Sequence, residues 1–206
     1  MSRDSDEPGP DRLLLLARQG DEAARGALLE HYRHYLELLA RLEIGRRLQT
    51  KVDTADVVQD TFLEAHRNLK LFRGSGEAEF VAWLRSILSA KMANLVRHYL
   101  GTQGRDVRRE QHLEIDLDQS SRLLDRGLVA LGSTPSQQVA RRETGVLLAA
   151  ALARLPVDYR EVVVLRHLEE LTFPDIAVRM QRSVDSVQKL WVRALVQLRQ
   201  LMRDVE

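Results

Sequence analysis

Apolar residues recur along this chain at steps of three and four, the spacing of one side of an α-helix. Asp11 to Arg18 reads as a short helix ended by Gly20. Asp21 is placed to cap a long second helix to about Ile44, with Ala24, Leu28, Tyr32, Tyr35, Leu39 and Leu42 on one side and Gly45 as its stop. The next opens at Asp53 or Thr54 and buries Val57, Val58, Thr61, Phe62, Ala65 and Leu69. Phe72 to Gly76 is a turn. A helix from Glu77 to about Leu100 follows, with Phe80, Trp83, Leu84, Ile87, Leu88, Met92 and Leu95 inward. Leu113 to Gln138 changes character, rich in serine, glycine and acids, and is expected to be a flexible interdomain linker. A helix to Arg154 opens the second half. Leu155-Pro156-Val157 breaks it, and Asp158 is expected to cap a helix through about Glu169.

The last stretch, Leu171 to Leu198, predicts two helices joined by a tight turn. Thr172 is an N-cap, with Asp175 three residues on and Pro174 in the first turn. Gln181-Arg182 make the turn and Ser183 caps the second helix. On that helix Val187, Leu190, Trp191, Ala194, Leu198 and Leu201 share one side. Asp185, Lys189, Val192 and Val196 point the opposite way, flanked by Ser186, Gln188 and Arg193. A helix inserted in a DNA major groove needs that division. An ordinary helical hairpin would show it too.

Composition narrows the choice. Eleven glycines and five prolines in 206 residues favour long helices over a β-rich fold, so an all-α chain is expected. The absence of cysteine excludes disulfides, thiolate catalysis and Cys-ligated zinc. No apolar run approaches the roughly 20 residues of a membrane span, and a cytoplasmic protein is expected. His31 and His34 lie three apart without a nearby metal-binding set. No nucleophile–base pair or phosphate loop can be assembled, so no enzyme and no cofactor is expected.

Net charge is only +1. Its distribution says more. Arg85, Lys91, Arg97, Arg105, Arg108 and Arg109 form one basic segment, and Arg179, Arg182, Lys189, Arg193, Arg199 and Arg203 another. Acids gather at Asp53 to Glu64 and at Glu114 to Asp118. Two basic segments suggest two contacts with one polyanion. Asp53, Asp56, Asp60 and Glu64 make an acidic stripe on one helix, either a solvated face or a docking face for a basic partner.

Four features together resemble the extracytoplasmic-function (ECF) sigma factors of the sigma-70 family. Asp56-Val57-Val58-Gln59-Asp60-Thr61-Phe62-Leu63 is similar to the family's region 2.2 signature. Phe80-x-x-Trp83-Leu84-x-x-Ile87, with Asn94, is similar to region 2.3. Leu155-Pro156-x-x-Tyr159-Arg160-Glu161-Val162-Val163-x-Leu165-Arg166 is similar to region 4.1, and the closing hairpin to region 4.2. Order and spacing agree from about Arg12 to Arg203. The string Lys189-Leu190-Trp191-x-Arg193-Ala194-Leu195 is similar to a subgroup abundant in planctomycete-like bacteria.

The resemblance implies two helical domains, region 2 over 11–110 and region 4 over 139–206, joined by a linker over 111–138. It implies that Asp53, Asp56, Gln59, Asp60 and Glu64 dock on the β′ clamp helices of core RNA polymerase, with the β flap as a second contact. Arg85, Lys91, Asn94, Arg97, His98, Gln103, Arg105, Arg108 and Arg109 would engage and melt the −10 element of promoter DNA. Thr172, Ser183, Ser186, Gln188, Lys189, Val192 and Arg193 would face the −35 duplex. An anti-sigma factor or another regulator is a further implied partner. Three positions depart from the family's pattern: Gln181 where such turns often have glycine, His98 where aspartate is common, and Leu190 where many members have arginine. A conventional dimeric helix-turn-helix regulator binding duplex DNA would explain Thr172 to Arg199 equally well. It leaves the acidic signature, the Phe80–Trp83 segment and the basic loop unexplained.

Overall fold

The computed structural model describes residues 8–47, 53–100 and 140–203. All regular structure among them is helical. The chain divides into two compact units, before and after about residue 118. The expected linker, and so both domain boundaries, lies outside the described residues.

The first unit holds α1 (Pro10–Arg18), α2 (Glu22–His31), α3 (Arg33–Arg47), α4 (Thr54–Asn68) and α5 (Glu77–Leu100). Helix α1 packs on α2 and α5, and α3, α4 and α5 pack on one another. The expected single helix from Asp21 to Ile44 is instead two, interrupted at Tyr32. The apolar spacing runs unbroken through the interruption, so periodicity could not reveal it. Its cause is tertiary. Tyr32 is fully buried, its ring lies 5.8 Å from that of Phe80, and its hydroxyl donates to Glu77 Oε1 at 2.9 Å. Gly45 is not a stop, since α3 continues to Arg47. A glycine inside a helix costs only about 1 kcal/mol.

A short 3₁₀ turn, Leu69–Leu71, leads from α4 into the turn that precedes α5. Arg18 holds that turn from outside, donating to the carbonyls of Phe72 and Gly74 and lying over the Phe72 ring. A side chain at Gly74 would collide with Phe72 and Glu79, so the close approach needs glycine. Phe72, Phe80 and Trp83 then pack as a cluster, with Trp83 half-buried at its edge.

The second unit holds α6 (Ala140–Arg154), α7 (Val157–Val163), α8 (Phe173–Arg179) and α9 (Val184–Arg203), and α9 packs on the other three. Asp158 does not cap α7. Pro156 takes the cap position, and Asp158, one residue inside the helix, pairs with Arg182 of the later turn at 2.5 Å. The fixed φ of Pro156 starts the helix, which frees the carboxylate. After α7 the chain widens into a π turn over Val164–Leu168. Two non-glycine residues with positive φ bracket α8: Glu170 at 57° and Gln181 at 53°. The turn therefore does take the left-handed conformation at Gln181, where glycine would adopt it without strain.

His167, in the π turn, ties the C-terminal helix down. Trp191 Nε1 donates to His167 Nε2 at 3.0 Å, the two rings stack at 5.9 Å, and Phe173 meets Trp191 edge-on at 5.5 Å. An indole N–H only donates, so His167 must present a bare nitrogen. Burial, and after it the Arg166 guanidinium, hold its pKa below the ordinary histidine value.

Two outcomes follow from this geometry. Gln181→Gly should raise stability by about 1 kcal/mol by relieving the left-handed strain, read as a higher urea midpoint at unchanged slope. A lowered folded pKa means that the unfolded chain takes a proton first. The contribution of neutral His167 is complete above about pH 6.5 and is lost as pH falls through the folded pKa. Stability should therefore drop on acidification below about pH 6.5. His167→Gln, whose amide oxygen still accepts from Trp191, should flatten that part of the profile in urea unfolding.

Candidate protein and nucleic-acid interfaces

Three surfaces carry the expected site residues. The first is the outer side of α4. Burial of Val57, Val58, Thr61, Phe62 and Ala65 fixes the rotation of this helix, and Asp56, Gln59 and Asp60 face solvent as a result. Asp53 caps the helix, its Oδ1 accepting from the Ala55 N–H at 2.9 Å. Among the described residues neither Asp56 nor Asp60 has a cationic partner. Leu63 stands among them 45% exposed. The sequence reading passed over it as a site residue, although it lies outside the set that buries. An apolar side chain within an acidic face suits a protein partner better than DNA.

Glu64 is placed differently from the other acids. It is half-buried, accepts from Asn68 Nδ2 at 2.6 Å and pairs with Lys91 Nζ of α5 at 3.3 Å. Two residues assigned to separate surfaces, Glu64 to protein docking and Lys91 to DNA, thus form one internal ion pair between α4 and α5.

The second surface is the distal part of α5 and the segment after it. Arg85 is half-buried and Asn94 is exposed. The backbone of α5 carries Arg97 and His98, but their side chains, and all of Gln103, Arg105, Arg108 and Arg109, lie outside the described residues.

The third surface is the outer side of α9. Val187, Ala194 and Leu198 are buried, while Leu190 and Trp191 are half-buried. Gln188, Lys189 and Arg193 are exposed, Ser186 is half-buried, and Val192 is 53% exposed. Ser183 Oγ accepts from the Ser186 N–H at 3.3 Å. Thr172 caps α8, accepting from the Asp175 N–H at 3.4 Å and donating to the Asp175 carboxylate at 2.5 Å. Its one O–H donor is committed to that capping pair. Lys189 pairs with Asp185 one turn back at 2.7 Å.

The second basic segment is less free than its sequence suggests. Arg182 pairs with Asp158, and Arg179 with Glu169 at 3.0 Å. Long-range carboxylates that no local pattern reveals neutralise both. What remains exposed on α9 is the Asp185–Lys189 pair near its start, then Arg193, with Arg199 and Arg203 further along. Exposed Val178 and Val196 were also missing from the expected set. Among the described residues no group of three or more histidines and carboxylates is arranged to hold a metal, and no helix is long and apolar enough to cross a membrane.

Comparison with known proteins shows the family. The sigma-70 region 2 family matches residues 30–100, and the sigma-70 region 4 family matches residues 146–198. The ECF RNA polymerase sigma-E factor of Haemophilus influenzae is 30% identical over 182 residues, covering 86% of each chain. Its counterparts in Salmonella typhimurium and Escherichia coli K12 are 29% identical over 177 residues, covering 86% of this chain and 85% of theirs. A chain in the solved RsbN–BldN complex is 23% identical, covering 91% of this chain and 98% of its own, with a TM-score of 0.31. The region 2 match spans the acidic helix α4 together with α5, and the region 4 match covers α8 and α9 as far as residue 198. The chain belongs to the ECF sigma factors of the sigma-70 family.

Proposed function

We propose that this sigma factor, working in the cytoplasm, docks on the β′ clamp helices of core RNA polymerase through the outer side of α4. The observation that carries the reading is the exposed acidic face of Asp53, Asp56, Gln59 and Asp60 around Leu63. Such a face complements a basic, partly apolar partner. Glu64 acts inside the unit, with Lys91, rather than at the partner surface.

Docking would set the distal part of α5 and the basic residues after it against the −10 element. Unpaired bases there are captured in a pocket, and the strand is tracked by positive charge. Asn94, Arg97, His98, Gln103, Arg105, Arg108 and Arg109 are the residues for that task, with Arg85 supporting them from a half-buried position. The second unit would lie by the β flap and insert α9 in the −35 major groove. Gln188, Lys189 and Arg193 are then the polar readers, and Val192 offers an apolar contact to a thymine methyl. Ser183, Ser186 and Thr172 order the backbone N–H groups at the helix starts toward phosphate.

Neither grip needs to be strong. Polymerase holds both at a fixed separation, and the second contact then forms at high effective concentration. The chain itself would make and break no bonds. An anti-sigma factor would act by covering one of these faces.

Core polymerase with this protein should initiate at its promoters and leave −10 thymines reactive to permanganate. A protein that binds duplex DNA alone and gives no initiation with polymerase would instead be a conventional dimeric regulator. Asp56→Arg combined with Asp60→Arg should weaken polymerase binding at least about tenfold while leaving the fold intact. Undiminished binding in a pull-down with core polymerase would remove α4 from the docking surface.

A further inference from the structure

Asp185 is an anomaly on a DNA-facing helix. It lies in the first turn of α9, on the stripe shared by Lys189, Val192 and Val196. Its side chain is 74% exposed and that of Lys189 is 66% exposed. A carboxylate on a surface that must approach phosphates opposes binding. Capping does not account for it, because Ser183 already serves that turn. Support from the helix dipole and from Lys189 one turn on would stabilise any solvated helix. Neither calls for placement on the outward stripe.

The chemistry of the pair matches one base-pair edge. Asp185 Oδ2 and Lys189 Nζ stand 2.7 Å apart, an acceptor beside a donor. In the major groove a C·G pair shows the cytosine N4 amino donor beside the guanine O6 and N7 acceptors. An A·T pair also sets a donor, adenine N6, beside an acceptor, thymine O4, but it offers the ammonium that one acceptor and a methyl group where guanine offers O6 and N7 together. We propose that Asp185 and Lys189 together read one C·G base pair in the upstream promoter element. Asp185 accepts from cytosine N4, and Lys189 donates to guanine O6 or N7. This rests on the reading of α9 as the −35 helix. A G·C pair reverses the order of donor and acceptors, and A·T and T·A pairs lack the adjacent O6 and N7 acceptors, so the pair favours C·G and the carboxylate penalises sequences that set an acceptor against it.

The test uses holoenzyme reconstituted from core polymerase and the full chain, transcribing a promoter library randomised over both elements. The wild type should select one upstream C·G pair by about tenfold over the alternatives. Asp185→Ala should lose selection at that position alone and gain initiation at the other base pairs there. Asp185→Asn should move the selection to adenine, whose N6 and N7 an amide pairs with. That gain of a new preference requires a folded domain. Identical upstream selection by the wild type and both variants would overturn the proposal while leaving α9 as the upstream reader. No upstream selection by the wild type would overturn the reading of α9 itself, and this inference with it.

Discussion

Helices α4 and α9 each bury one side, and that burial sets the angle at which the other side is offered. On α4 the buried set Val57, Val58, Thr61, Phe62 and Ala65 leaves Asp56, Gln59 and Asp60 outward. On α9 the set Val187, Ala194 and Leu198 does the same for Asp185, Lys189 and Val192. A side chain cannot change its role without a change in the packing behind it. Both units are small, and their cores leave little redundancy. Helix α9 has one additional anchor, Trp191 held by His167 and Phe173. This anchor lies on the flank of the helix and leaves the outward stripe free.

Within each unit the internal ion pairs take charges away from the surface. Lys91 holds Glu64, Arg182 holds Asp158, and Arg179 holds Glu169. Half-exposed pairs of this kind contribute little to stability, roughly 0–1 kcal/mol each. Their larger effect is on which charges remain for a partner. A sigma factor that depends on polymerase for its hold on DNA has little need of a strongly basic second unit. A sparse surface charge limits binding to DNA at random.

Helix periodicity and caps made most of the fold legible in the sequence. Asp21 and Thr172 cap as their positions imply, Asp53 rather than Thr54 caps α4, and α5 runs from Glu77 to Leu100. What local pattern could not show was anything decided by distant residues. The interruption at Tyr32 comes from packing on Phe80 and a hydrogen bond to Glu77. Asp158 sits where a cap belongs in the local pattern, while its partner Arg182 lies 24 residues away. Glu64 and Lys91 were read apart because no spacing rule joins positions 27 apart on separate helices. Gln181 was legible in part: the missing glycine was visible, while the left-handed backbone that makes it matter was a fact of the fold. At the interfaces, the residues on regular helices could be assigned a direction from sequence. Gln103 to Arg109 follow no periodic pattern and gave none.

The aromatic packing has a practical consequence. The chain has two tryptophans, and they fall one to a unit: Trp83 against Phe72 and Phe80 in the first, Trp191 against His167 and Phe173 in the second. Each is half-buried in a setting of its own, so each emits from a different environment. Replacing either one with phenylalanine leaves a protein whose tryptophan fluorescence, excited apart from that of its four tyrosines, comes from a single unit. The order in which the two units melt, and which of them first feels polymerase or DNA, is then readable without a label.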